Sequence, residues 1–326
     1  MTLRSIAVVG AGAAGLACAR RLSSRGFPVR LFDKGRSPGG RLATRRVQTP
    51  HGEAAFDHGA QYVTARDPAF ADVLATLALP WTVAPVVIAG DGRIQPGRTD
   101  GLRWVGAPGM SALARGLAAG LSVTAGARVT AASRTEEGWR LAIEGGEAAG
   151  PFDAVVIATP AEQAGDLLAP TSPAFAEAAR AAVTAPCWAG LLVFADRVPA
   201  PFDAARVEGD GPIAWIARER SKPGRAGPEA WVVHAAPTWS REHLEDAPDA
   251  VADALARAFR VVAGAAPAPA WTQAHRWRYA QVERAAGTPF AWDAALRLGV
   301  CGDWRIGPRV ESAWLSGDGL ARAMAG

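Results

Sequence analysis

The chain has 326 residues, 49% hydrophobic and 20% charged, which suits one large globular domain or two interlocked ones and excludes a disordered or fibrous chain. The net charge of +4 is carried almost wholly by arginine, with Lys34 and Lys222 the only lysines. No basic run is interleaved with stacking aromatics, which argues against nucleic acid as a partner, although a modest positive surplus helps to attract an anionic substrate.

The first element is IAVVGAGAAGL, from Ile6 to Leu16: four β-formers, a glycine-spaced turn, then a helix-forming run. Gly10, Gly12 and Gly15 hold the G-x-G-x-x-G spacing. The first glycine permits the tight turn, the second lets a pyrophosphate approach, and the third lets the helix pack on the strand. The helix N-terminus, at Ala13 and Ala14, then offers free N–H groups to the anion. A second strand, PVRLFD, ends in Asp33, eighteen residues beyond Gly15, close to the spacing of a ribose-binding carboxylate. Lys34 follows at the adenosine end. Gly39, Gly40 and Arg41 come next instead of another βα unit. They bring a second backbone segment and a phosphate-matching guanidinium to the same pyrophosphate.

From residue 66 to 98 the chain makes an excursion, with a helix in DPAFADVLATLAL and a strand in APVVIAG. Residues 106–135 read as a helix followed by strands, with Val129 at their centre. DAVVIATP is a buried strand ending in a small-residue turn at Thr159. Strands follow at GLLVFA, IAWIAR and AWVVHAA, then a helix in DAVADALARAFRVVAG. RSKPGRAGP is a turn, and Lys222 within it is expected to be a solvated loop residue. LRLGVCGDW is a last strand ending in Gly302-Asp303. The helix after it, carrying Val310, Glu311 and Ala313, points its N-terminus at the cofactor. In two-part flavoproteins a Gly-Asp turn and helix of this kind place a carboxylate at the ribityl chain, and the helix dipole favours a reduced flavin. Together these segments predict one FAD, bound non-covalently. There is no second G-x-G-x-x-G for a resident nicotinamide cofactor.

Cys18, Cys187 and Cys301 are scattered in no CxxC spacing. That argues against disulfides, a redox dithiol and a metal site, and Cys18 and Cys301 read as small buried hydrophobes. No apolar run reaches membrane-spanning length. The first strand begins too soon after Met1 for a signal peptide, so a cytoplasmic location is expected.

The blocks GAGAAGLACARRL, DKGRSPGGRLATRR, FDHGAQYVTARDPAF, WVVHAAPTWS, HRWRYA and CGDWRIGPRVESAWLSGDGLA resemble the renalase family, within the FAD enzymes of the p-hydroxybenzoate hydroxylase and amine oxidase fold. The resemblance runs over nearly the whole chain. It implies an α/β fold: a Rossmann-type FAD-binding domain interleaved with an α+β substrate domain. The expected boundaries are 1–65, 99–165 and 291–326 for the former, and 66–98 and 166–290 for the latter. It places Val129 against the adenine, where a plain core valine reads equally well.

The resemblance further implies oxidation of 2- and 6-dihydro-NAD(P) isomers, with O2 reduced to H2O2. Hydride release from a dihydropyridine frees no proton and needs no base. Its discriminating blocks supply the pocket candidates. Tyr62, His234, Trp277 and Trp304 are expected at the chemistry, and Gln61, Arg278 and Tyr279 at the substrate. For His234 a structural role at a strand end reads as well, and Trp188, Trp215 and Trp231 are expected to fill the core. Two alternatives stand beside this reading: an FAD-dependent amine oxidase or desaturase, and a flavin-bearing binding or signalling protein.

Overall fold

The computed structural model describes residues 3–97 and 101–326, and the expected segment boundary between residues 98 and 99 lies outside them. Ile6–Val9 is wholly buried within a six-stranded sheet. It pairs in parallel with Ala154–Ile157 on one side and Val29–Asp33 on the other. Leu298–Val300 and Ser122–Ala125 extend the sheet in parallel, and Ala291–Asp293 closes one edge antiparallel. A parallel sheet covered on both faces explains why its strands read as unbroken apolar runs.

The turn into the first helix, Ala13–Ser24, requires glycine. Gly10 has φ +102°, and a Cβ there would lie 2.7 Å from the Ala158 carbonyl oxygen. A Cβ on Gly15 would fall 1.9 Å from the Gly10 carbonyl oxygen, so strand and helix meet at backbone distance. The last helix, Val310–Ala325, packs on the first in the same way. Gly317 faces Ala14, whose carbonyl oxygen would be 2.0 Å from an added Cβ, and Arg21 pairs with Asp318 beside it. Cys18 and Cys301 are both fully buried here, as small hydrophobes.

A second sheet has seven strands, in the order Trp271–Arg284, Val183–Phe194, Glu229–Ala235, Ile213–Arg218, Ala204–Val207, Val86–Ile88 and Ile94–Gln95. One face packs on the helix Pro248–Val262 through Trp188, Leu192, Phe194, Trp231 and Val233 against Leu255 and Phe259. The other face, through Leu191, Val193, Ala230 and Val232, takes a hairpin of Arg45–Thr49 and Gly52–Phe56 that belongs to the N-terminal region. That hairpin lays the exit from the first domain across the second sheet. The architecture is α/β, a Rossmann-type unit interleaved with an α+β unit.

Gly317 generates the first prediction. Gly317→Ala forces a methyl group into the backbone of the first helix. Overpacking of this kind costs about 1–3 kcal/mol, or a fall in Tm of roughly 3–10 °C for a chain of this size. Thermal unfolding of the FAD-loaded protein reads it, and an unchanged Tm would show that the two helices separate freely.

Candidate active site

The cradle forms where the two glycine loops meet. A Cβ on Gly12 would have nothing within 4 Å, so space lies open above the helix N-terminus. Gly12 caps the first helix without a side-chain hydrogen bond, leaving the first-turn N–H groups at Ala13 and Ala14 for a ligand. Gly39, at φ +133°, donates its N–H to the Ala11 carbonyl at 2.8 Å, and a Cβ on Gly40 would lie 3.6 Å from the Gly12 Cα. The second glycine pair therefore sits directly on the first.

Asp33 closes one end of the cradle. Its Oδ2 accepts from the Ala11 N–H at 2.6 Å and its Oδ1 from the Gly35 N–H at 2.7 Å. Its carbonyl accepts from the Ala127 N–H at 2.8 Å, which draws the start of the Val129–Thr135 strand to the same end. Val129 is half-buried against the cluster that contains Phe32. Burial and the nearby Arg128 lower the Lys34 ammonium pKa, opposed by Asp33.

At the other end Arg41 donates to Asp303 Oδ1 at 2.7 Å and to the Ala280 carbonyl at 2.9 Å. Burial works against the charge of Arg41, but the Asp303 carboxylate outweighs it and raises the pKa. Thr159 Oγ1 is buried with no hydrogen-bond partner, next to the Gly10 turn. Gly302 donates its N–H to Ser316 Oγ at 2.9 Å, fixing the Gly-Asp turn to the last helix. That helix begins without a side-chain cap. Val310 is half-buried and Ala313 buried, while Glu311 accepts from the Arg66 and Asp67 N–H groups and pairs with Arg309. Open space over Gly12, uncapped helix starts, an orphaned hydroxyl and a paired guanidinium together fit a dinucleotide such as FAD.

Beyond the cradle lies a buried ionic cluster. Asp57 pairs with Arg225 and, at 3.4 Å, with Lys222. Glu219 pairs with Lys222 at 2.8 Å and with Arg225 at 3.4 Å. Gln61 donates to the Asp57 carbonyl and accepts from Lys222 at 3.2 Å. Burial pushes the Asp57 pKa up, but Lys222 and Arg225 outweigh it and the net direction is down. Burial dominates at Glu219 and raises its pKa. The expectation that Lys222 is a solvated loop residue is overturned, since it is 2% exposed. Its turn folds inward onto a carboxylate 165 residues away in sequence, which local composition does not reveal.

Aromatic and imidazole rings complete the wall. Tyr62 lies 6.0 Å from Trp81 and 5.6 Å from Trp215 between ring centroids. Trp215 is half-buried beside Tyr62 rather than enclosed like Trp188 and Trp231, and its indole N–H has no partner. His234, opposite Trp215 in the sheet, donates from Nε2 to the His58 carbonyl at 3.1 Å. Trp277 donates to the same carbonyl at 2.9 Å. Burial pulls the His234 pKa down to about 4. Burial, then the His275, Arg45 and His234 charges, pull His58 down to about 3.

Gln61, Tyr62, His234 and Trp277 therefore converge on one region. Trp304 stands apart, 1% exposed beneath the cradle with its indole N–H on the Thr159 carbonyl. Arg278 turns outward to Glu245, with bonds of 2.5 and 2.9 Å, while Tyr279 is half-buried beside Ala280, the residue whose carbonyl holds Arg41. Asp57, His58, Glu219, Arg225 and His275 were not expected at the site from sequence. The only local signal was the FDHG run, which puts an acid and a histidine immediately before the glycine of the loop.

Two predictions follow from this geometry. Asp33→Ala removes the acceptor of two backbone N–H groups, each worth about 1–3 kcal/mol when left unpaired. Titration of the apoprotein should then show FAD affinity at least about tenfold weaker, and unchanged affinity would make Asp33 a mere strand-end residue. The histidines set a pH dependence. His58 and His234 titrate at about 3 and about 4 when folded, against 6.5 ordinarily. The unfolded chain therefore binds more protons, and stability present above pH 6.5 is lost as pH falls toward 4. Denaturant midpoints measured from pH 7 to 5 should fall, and less steeply in His234→Gln. Parallel slopes for the two proteins would rule out His234 as a contributor.

Among the described residues no helix is long and apolar enough to cross a membrane, and no group of three or more acidic, histidine or cysteine side chains is arranged to hold a metal ion. Residues 8–77 match the family profile of an NAD(P)-binding Rossmann-like domain, and residues 97–325 that of the flavin containing amine oxidoreductases. Among solved structures, a putative protoporphyrinogen oxidase from Exiguobacterium sp. 255-15 aligns with a TM-score of 0.77 at 12% identity, over 100% of this chain and 99% of that one. Cyclohexylamine oxidase from Brevibacterium oxydans IH-35A aligns at 0.74 and 12% identity, over 99% of both chains. Putrescine oxidase bound to putrescine aligns at 0.72 and 13% identity, over 98% of both. At such identities these likenesses speak for the fold, and the profile across 97–325 for descent: the chain belongs to the flavin-containing amine oxidoreductases, with FAD as its cofactor.

Proposed function

We propose that the protein is a renalase-like oxidase that takes hydride from 2- and 6-dihydro-NAD(P) isomers and yields oxidised NAD(P) and, from O2, H2O2. FAD, held non-covalently, supplies the hydride acceptor and the route of the electron pair to oxygen. The observation that carries this reading is the charge state of the wall. Asp57 and Glu219 are both matched to Lys222 and Arg225, and His58 and His234 are held neutral by burial.

Among the described residues of this wall the carboxylates are matched to cations and the two buried imidazoles are only weak bases, so neither favours an ammonium substrate or proton abstraction. A dihydropyridine needs neither. Its C–H bond breaks with both electrons and the hydrogen leaving together, and the ring departs as a pyridinium. Tyr62, Trp215 and Trp277 supply flat faces for a planar ring, and the His58 carbonyl fixes the imidazole of His234 and the indole of Trp277 in orientation. Exclusion of water by these rings protects the transfer.

A second reading, amine oxidation, is favoured by the family and by Lys222, whose ammonium lies 5.9 Å from the Trp81 ring centroid within the same wall. Anaerobic rapid mixing separates the two. The flavin band should bleach fast with 2- or 6-dihydro-NAD(P), and slowly with ordinary NADH or with amines. The donor carbon must come within about 3–3.5 Å of its acceptor, and a pocket that presents C2 or C6 holds C4 away. Trp277→Ala should slow bleaching more than it weakens FAD binding. Fast bleaching by amines alone would favour the amine oxidase, and bleaching by none of these donors a flavin-bearing binding protein.

A further inference from the structure

One polar cluster extends beyond the aromatic wall, sharing His58 and Trp277 with it. The hairpin strand Arg45–Thr49 crosses the face of the seven-stranded sheet near its edge strand, Trp271–Arg284. Along that edge strand Trp271, Gln273, His275 and Trp277 alternate onto one face. Phe56 stacks on Trp271 at 6.0 Å, and His58 sits 4.6 Å from His275 and 5.1 Å from Trp277 between ring centroids. Arg45 pairs with Phe56 across the hairpin, and its charge acts on both His58 and His275.

Three buried polar atoms in this cluster have no hydrogen-bond partner: Arg45 Nε, His58 Nδ1 and Gln273 Oε1. Orphaned buried polar atoms are uncommon, and each calls for an explanation. Arg45 makes no ion pair among the described residues. The buried acid on the hairpin exit, Asp57, is committed to Lys222, Arg225, Thr44 and Met110. Three histidines face this cluster, His58 on the hairpin exit, His275 on the edge strand and His234 beyond it, with Cys187 opposite Trp277. Glu53 on the partner hairpin strand is exposed and bonded to Gln48, and Glu229 is committed to Arg218 and Trp231. Burial keeps all three histidines below their ordinary pKa, so Arg45 supplies the positive charge.

We propose that Arg45, with His58 and His275, forms a subsite for a phosphoryl oxyanion, the phosphate arm of the dinucleotide whose ring lies against Trp277. The identity of the ligand rests on the proposed function, whereas the anion subsite itself does not. Guanidinium Nε and Nη donors form the fork that binds two phosphate oxygens at once. A neutral imidazole bearing hydrogen on Nδ1 adds a further donor. The subsite abuts the aromatic wall through His58, whose carbonyl holds Trp277 and His234. It also lies at the sheet edge, where a long ligand can leave the interior.

Equilibrium dialysis of the FAD-loaded protein with inorganic pyrophosphate and with ADP-ribose tests the subsite without turnover. Arg45→Gln should weaken both at least tenfold, and Arg45→Lys, which keeps the charge but loses the fork, by less. In kinetics, the preference in kcat/KM for a dihydro-NAD isomer over the phosphate-free dihydronicotinamide riboside should fall at least tenfold in Arg45→Gln. Equal anion binding by wild type and Arg45→Gln would overturn the subsite. Anion binding that depends on Arg45 in a protein that oxidises no dihydronicotinamide would uphold the subsite and refute the proposed function. Arg45-dependent binding of pyrophosphate without any change in the kcat/KM preference would place a free phosphate compound there and overturn the substrate assignment. FAD content and the circular dichroism of both variants control for folding.

Discussion

Arg41 is the point through which the cofactor cradle and the substrate wall are held in one geometry. Its guanidinium joins the second glycine loop to Asp303 on the last sheet strand's turn and to the Ala280 carbonyl on the long edge strand. Its own carbonyl accepts the Ala60 N–H at 2.8 Å, and a Cβ on Gly59 would come within 2.1 Å of that oxygen. One residue thus fixes four segments that are remote in sequence. The rigidity has a local cause: a planar guanidinium with two fixed acceptors has little rotational freedom left. Glycine at 59 then lets the next loop come into backbone contact, which brings Gln61 and Tyr62 beside the cradle.

The same loop is anchored at its start by the charge cluster. Two carboxylates and two cations, all buried, balance to neutrality. Burying them costs desolvation that their mutual attraction barely offsets, so the cluster contributes geometry more than stability. Removing one member would leave an uncompensated charge, at about 3–5 kcal/mol. That asymmetry holds Asp57 against the turn at 219–225 and so ties the first unit to the second sheet. Asp57 anchors this loop two residues before Gly59, and the Arg41 carbonyl meets it at Gly59 and Ala60, so it has little freedom to shift without breaking one of the two.

The cradle was legible in the sequence because its chemistry is local. Gly10, Gly12, Gly15 and the strand-ending Asp33 obey turn and packing rules that act over a few residues. The structure adds that Gly39 and Gly40 rest on the first loop. The strands at 183–194, 213–218 and 229–235 were legible from apolar runs, whereas Trp271–Arg284 was missed as an element, because its inward positions include the polar Gln273 and His275 and so give no apolar run. Lys222 was misread for a different reason. Pro and Gly beside it mark a turn correctly, but a turn can point inward when carboxylates wait there. Arg278 shows the converse, as its block resembles a pocket segment while its side chain pairs outward with Glu245. Trp304 follows the Gly-Asp turn as expected, yet its indole N–H satisfies a backbone carbonyl below the cradle. Side-chain direction in such cases is set by the strand across the gap.

The distribution of charge across the two units gives the site its character. Glu162 keeps one buried oxygen unpartnered, while three acids near the cradle are engaged: Asp33 by backbone N–H groups, Asp303 by Arg41, and Glu311 by the N–H groups of residues 66 and 67. Asp57 and Glu219 are neutralised in the same fashion. Among the described residues, Arg45 stands beside this wall without an ion pair. Burial holds the histidines there below their ordinary pKa, so they add little positive charge near neutral pH. On the proposed function, selection at this site is by ring shape close to the aromatic residues and by charge farther out along the sheet edge, two recognitions joined at the backbone of His58, whose carbonyl holds His234 and Trp277.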